Sequence, residues 1–159
     1  MIILLGMRSN HFDVVALPSM IWPSNLSVPS KRFRLFVAAD TKNSTVDALS
    51  AFAYSALEKG MVYFCSWGPD CERFHDIVDE VILEDDLGHR RFVGPDESAF
   101  VQTTWHAKHD LDEALDYFAR FAHPPGSFEP DSDYWLAISV GNAEWAASIR
   151  RILGAEKFL

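Results

Sequence analysis

The chain has 159 residues, 48% hydrophobic and 23% charged, which is ordinary globular usage and the length of one domain spanning residues 1–159. At that size roughly two-thirds of the unfolded surface is buried, so the two cysteines are not needed as a staple. The net charge of −9 and a lone compact basic group, Lys31, Arg32 and Arg34, exclude a general nucleic-acid role.

Residues 1–31 read as an irregular segment broken by Pro18, Pro23 and Pro29, within which Met1–Leu5 offers an edge strand. No apolar run approaches the ~18 residues of a membrane-spanning helix, and no cleavable signal pattern is present. The chain is therefore expected to be cytoplasmic, with no membrane partner. Arg32–Ala39 is β-rich, and Thr41–Thr45 supplies turn and cap residues. Val46, Leu49, Phe52, Ala53, Ala56 and Leu57 then recur at helical spacing, with Gly60 placed as a left-handed stop.

Met61–Ser66 is the next strand, and Trp67-Gly68-Pro69-Asp70 leads into a second helix with Pro69 as its first residue. The apolar stripe of that helix is Phe74, Ile77, Val78 and Val81. Val81–Leu83 suggests a short strand, and Glu84–Glu97 an irregular excursion. Phe100–Trp105 is a further strand, followed by a capping-box start at Asp110 and Glu113 for a helix through Phe121. Three prolines and a glycine mark Pro124–Asp133 as a loop. Tyr134–Val140 is the last strand, and Gly141-Asn142 opens a helix that Gly154 ends.

Four strand-to-helix handovers predict a three-layer α/β domain of the flavodoxin- or Rossmann-like kind. Its sheet is mostly parallel, with four to five strands and helices on both faces. Ligands in such sheets bind outside the carboxyl ends of the strands. That places Asp40, Trp67, Asp70, Glu72, Trp105 and Asn142 as candidate ligand-binding residues. Asp40 is equally explained as an Asx turn, and the tryptophans as core aromatics or as surfaces for a base or sugar.

The sharpest feature is Cys71 in the first turn of a helix, where the dipole favours a thiolate, with His75 four residues on as its base. His106 is the alternative base. Against this, Asp70 and Glu72 oppose thiolate formation, and a small packed cysteine explains the position as well. Cys65, Cys71, His75 and His106 also make four ligands of the kind zinc prefers, but Cys-x5-Cys-x3-His is not a compact zinc pattern, and no metal site is assigned. The glycines stand apart, with no phosphate-cradling loop and no nucleophile elbow, so no motif specifies a cofactor.

Three segments, Trp67-Gly68-Pro69-Asp70-Cys71-Glu72-Arg73-Phe74-His75-Asp76, Thr103-Thr104-Trp105-His106 and Trp135-Leu136-Ala137-Ile138-Ser139-Val140-Gly141-Asn142, resemble an uncharacterised family of small bacterial proteins. The resemblance implies a bacterial source over Arg32 to about Leu153 and brings no activity. The stretch Asp70–Asp133 holds 17 acidic and 5 basic residues, leaving the rest of the chain at +3. Solvated helix faces account for this, and a basic protein partner drawn by long-range attraction would also use it. The expected function is a small ligand-binding or regulatory interaction domain, taking a small molecule or a basic protein at the carboxyl edge. The alternatives are a hydrolase or transferase using Cys71, and a zinc-dependent enzyme.

Overall fold

The computed structural model describes residues 12–88, 100–124, 128 and 132–154. Its elements are β1 (Phe12–Leu17), β2 (Phe33–Ala38), α1 (Val46–Lys59), β3 (Met61–Trp67), α2 (Cys71–Gly88), β4 (Gln102–Trp105), α3 (Leu111–Phe121), β5 (Trp135–Val140) and α4 (Ala143–Leu153). The five strands form one parallel sheet in the order β1-β5-β2-β3-β4. The three-layer class therefore stands. Its strand order is neither of the two common doubly wound ones, because β5 inserts between β1 and β2.

Alternating residues of the strands feed two cores. Leu35, Val37, Phe64, Leu136 and Ile138 pack against Leu49 and Phe52 of α1 and against Phe74, Ile77, Val78 and Val81 of α2. Phe36, Cys65, Trp135 and Ala137 face the other way, onto Leu115 and Phe118 of α3 and Ile149 and Leu153 of α4. Burial on both sides explains why β2, β3 and β5 read as nearly continuous apolar runs. The connection from β1 to β2 has no helix or strand, yet Trp22 and Leu26 seal the α1 side, with Trp22 against Phe33 and Phe52.

Helix ends follow local chemistry. Thr45 Oγ1 accepts from the Ala48 N–H, and Gly60 stops α1 at φ 109°. Asp110 and Glu113 complete a capping box for α3, and Asn142 caps α4 through the Trp145 N–H. Several expectations need correction. Val81–Leu83 is not a strand, since Val81 continues the buried stripe of a helix that runs on to Gly88. Val46 is 56% exposed rather than buried. The edge strand is Phe12–Leu17, while Met1–Leu5 lies outside the described residues, as do residues 89–97 of the expected excursion and most of the expected loop at 124–133.

Candidate functional site

Neighbouring strands β5 and β2 send their helices to opposite faces, and so do β3 and β4. The carboxyl edge thus splits at two places, the geometry in which α/β sheets open a crevice. Asp40 and Asn142 flank the first split, and Trp67, Asp70, Cys71, Trp105 and His106 surround the second.

The loops at this edge are braced against one another. Thr41 is fully buried, and its N–H donates to the Pro69 carbonyl at 3.1 Å while its hydroxyl lies 3.1 Å from the Asp70 carbonyl. Arg73 donates to Asp70 Oδ2 at 2.7 Å and to the carbonyls of Thr41 and Ser44 at 2.6 and 2.8 Å. Gly68 presses so closely on the Ala39 carbonyl that a Cβ would overlap it. Pro69 and Asp70, the latter at φ 64°, form a turn closed by the Cys71 N–H on the Gly68 carbonyl, the pattern of a type II turn. Helix α2 therefore begins at Cys71, not at Pro69.

Cys71 is buried, and burial pushes its thiol pKa up. The N–H groups of His106, Cys71 and Gly68 face the sulfur and pull the pKa the other way without overcoming burial. His75 turns elsewhere, with Nδ1 at 2.9 Å from Asp76 Oδ1 and Nε2 at 2.9 Å from Thr103 Oγ1, its ring 4.5 Å from that of Trp105. The structure thus gives Cys71 neither the depressed pKa nor the imidazole partner that the sequence suggested.

His106 meets the sulfur only through its main chain. Its ring lies on the other face of the sheet, because β4 alternates: Thr103 and Trp105 face α2, and Thr104 faces α3. Cys65, on the same face as His106, bonds Thr104 at 3.1 Å, and burial raises its pKa to about 12. The set Cys65, Cys71, His75 and His106 is consequently divided by the sheet. Among the described residues no group of three or more His, Cys, Asp or Glu side chains is arranged to hold a metal, and both cysteines are free.

The ring of His106 belongs to a network that the sequence reading missed. Its Nε2 is 3.2 Å from Thr104 Oγ1 and its Nδ1 is 3.0 Å from His109 Nδ1, while the Tyr117 ring packs on it at a tilt with centroids 4.6 Å apart and approaches Tyr63 hydroxyl to hydroxyl at 3.4 Å. Burial, helped by His109, lowers the His106 pKa to about 4, so the ring is neutral at pH 7. Trp67 donates to the His109 carbonyl at 2.9 Å and meets Trp145 edge to face at 5.1 Å. Asp40 accepts from the Lys42 N–H, an Asx turn, and the Asn142 side-chain oxygen is taken up by its cap. Ser66, also missed, is 1% exposed and has no hydrogen-bond partner for its hydroxyl.

The edge is strongly acidic. Asp40, Asp47, Asp70, Glu72, Asp110, Asp112, Glu113 and Glu144 are all exposed there, against the basic side chains of Lys42, Arg73 and Lys108. The last helical turns at the opposite end carry Lys59, Arg120, Arg150 and Arg151. Each helix has an acidic residue in its first turn, where the dipole favours one, and parallel packing gathers these four first turns at one end, while α2 has no basic residue in its last turn.

A family model described as a domain of unknown function (DUF7684) matches residues 15–156. No curated protein and no solved structure matches the chain.

Proposed function

The chain belongs to the DUF7684 domain family, whose description states no activity; on that premise we propose that it is a small binding domain whose acidic carboxyl edge receives a basic protein partner. The observation that carries this reading is the gathering of eight exposed carboxylates at one edge, in its loops and first helical turns, with the loops after β2 and β3 braced by Arg73. A pre-ordered surface loses little entropy on binding, and a patch of one sign speeds encounter with the opposite sign. The groups that catalysis by Cys71 would recruit are meanwhile engaged with one another or with the sheet.

Titration calorimetry with octalysine tests this. Binding should weaken steeply between 50 and 300 mM salt, and a triple variant Asp40→Asn, Asp47→Asn, Glu144→Gln should lose about tenfold in affinity. Equal affinity for wild type and variant would refute the reading. A second reading, a small planar ligand, is favoured by the partly buried Trp67 and Trp145 pair beside Asn142. Quenching of tryptophan fluorescence by such a ligand, lost in Trp67→Leu, would support it.

A further inference from the structure

Among the described residues the sheet ends at β4, whose one strand partner is β3. The His106 N–H donates to the Ser66 carbonyl at 3.0 Å. In a parallel ladder alternate residues address the same neighbour, so Gln102 and Thr104 turn their backbone groups inward with His106. The N–H and C=O of Thr103 and Trp105 therefore point outward. Such a row of groups is a template for another strand.

Three further features share this rim. Trp105 is 42% exposed on the face that carries α2, held by its contact with the His75 ring. An open indole face attracts the guanidinium or ammonium of a passing side chain. Beside it, Asp76 and Asp79 are 61% and 50% exposed yet held in place, Asp76 through Oδ1 by His75, and Asp79 by the Thr103 hydroxyl on Oδ1 and by His75 Nε2 at 3.4 Å from Oδ2. Both carboxylates are already ordered and half exposed, so attracting a cation would not carry the usual cost of ordering them. Natural edge strands are commonly protected by shortness, by a lysine or by a proline; Gln102–Trp105 is short, at four residues, but has no lysine or proline.

We propose that the outer edge of β4 docks an extended, basic segment of a partner protein, which adds to the sheet as a further parallel or antiparallel strand. Main-chain hydrogen bonds to Thr103 and Trp105 give the affinity, while Trp105, Asp76 and Asp79 select Lys or Arg at alternate positions of the incoming strand. This rests on the reading of the chain as a binding domain for basic partners, and it moves the contact from the loops to the sheet edge.

The probe is a fluorescein-labelled decapeptide of alternating lysine and valine, read by anisotropy and by amide hydrogen exchange. In the free protein the Thr103 and Trp105 amides should exchange fast, and saturating peptide should slow them by at least about tenfold. Thr103→Pro removes one outward N–H and leaves the pairing with β3 intact, so it should weaken the peptide about tenfold. Thr103→Val keeps that N–H but, like proline, loses the hydroxyl that holds Asp79, so the comparison of the two isolates the N–H: Thr103→Val should bind the peptide at least about threefold more tightly than Thr103→Pro. Slow exchange at both amides before peptide is added, or unchanged affinity in Thr103→Pro, overturns the proposal. If Thr103→Pro does not fold, the exchange data on the wild type decide alone. Peptide binding weakened only by the Asp40, Asp47 and Glu144 changes would leave the carboxyl-edge reading standing and remove this one. No binding at all would remove both.

Discussion

At the scale of single residues the clearest consequence belongs to His106. Its pKa in the folded protein, about 4, lies below the ordinary histidine value because burial and His109 both disfavour a second proton. The unfolded chain, titrating near the unperturbed value of about 6.5, binds more protons between those two pH values, so stability must fall as pH drops through that window. The contribution is fully present above about pH 6.5 and is exhausted near pH 4, reaching at most about 3 kcal/mol. Urea midpoints of wild type and His106→Gln, compared from pH 7 to pH 4.5, should converge as the pH falls. A gap that stays constant would show that His106 takes up its proton as readily folded as unfolded. His75 shows what spacing hides. Cys71 and His75 lie four apart on one helix, as the sequence indicates, but the direction of an imidazole is set by Asp76, Thr103 and Trp105, and two of those belong to the neighbouring strand.

At the scale of elements, the strand-to-helix handovers were legible because their signals are local. Caps such as Thr45, Asp110 and Asn142, the stop at Gly60 and the change from continuous apolar runs to helical spacing all act within a few residues. The failures share a different cause. β1 is stabilised by pairing with the last strand of the chain, which no local window contains. Val81, Ile82 and Leu83 look like a strand on composition, and only the packing of Val81 beside Phe74 and Val78 shows the helix going on. The network around His106 also required β3 to lie next to β4 and α3 to cross to the other face. A trace of it is visible, since Tyr63 and Cys65 are two apart, as are Thr104 and His106, the strand period that points side chains one way. Gly68 gives the element-scale test. Its φ of 116° and its contact with the Ala39 carbonyl mean that Gly68→Ala must either push β2 and β3 apart or open the braced loop, costing about 2–4 kcal/mol. Gly141, at φ 66° with a Cβ meeting the Pro18 carbonyl only at an ordinary contact distance of 3.7 Å, should cost only about 1–2 kcal/mol on the same change. Denaturation midpoints of the two variants in the reverse order would mean that the loop after β3 is not rigid.

At the scale of the whole molecule, one sheet serves two cores. Leu35 and Phe36 are adjacent in sequence and support opposite layers, so a strand cannot leave one core while staying in the other. Unfolding should therefore be a single transition although the layers share no helix. Leu49→Ala on the α1 side should cost about 2–5 kcal/mol and Ile149→Val on the α4 side about 0.5–1.5 kcal/mol, both side chains being fully buried. With the sheet between them and no common neighbour cluster, the two losses should add to within about 0.5 kcal/mol in the double variant. Far-ultraviolet and near-ultraviolet dichroism should report the same urea midpoint in every variant, since the buried tryptophans Trp22 and Trp135 lie one in each core. Two separated midpoints would mean that one layer can peel from the sheet while the other holds. The carboxyl edge would then lose its bracing in stages, because Arg73 on α2 carries the contacts between its loops while Asn142 and Trp145 belong to the opposite layer. A single midpoint instead ties the order of that acidic edge to the stability of the entire domain, so a core substitution far from the edge should weaken binding there only when it populates the unfolded chain.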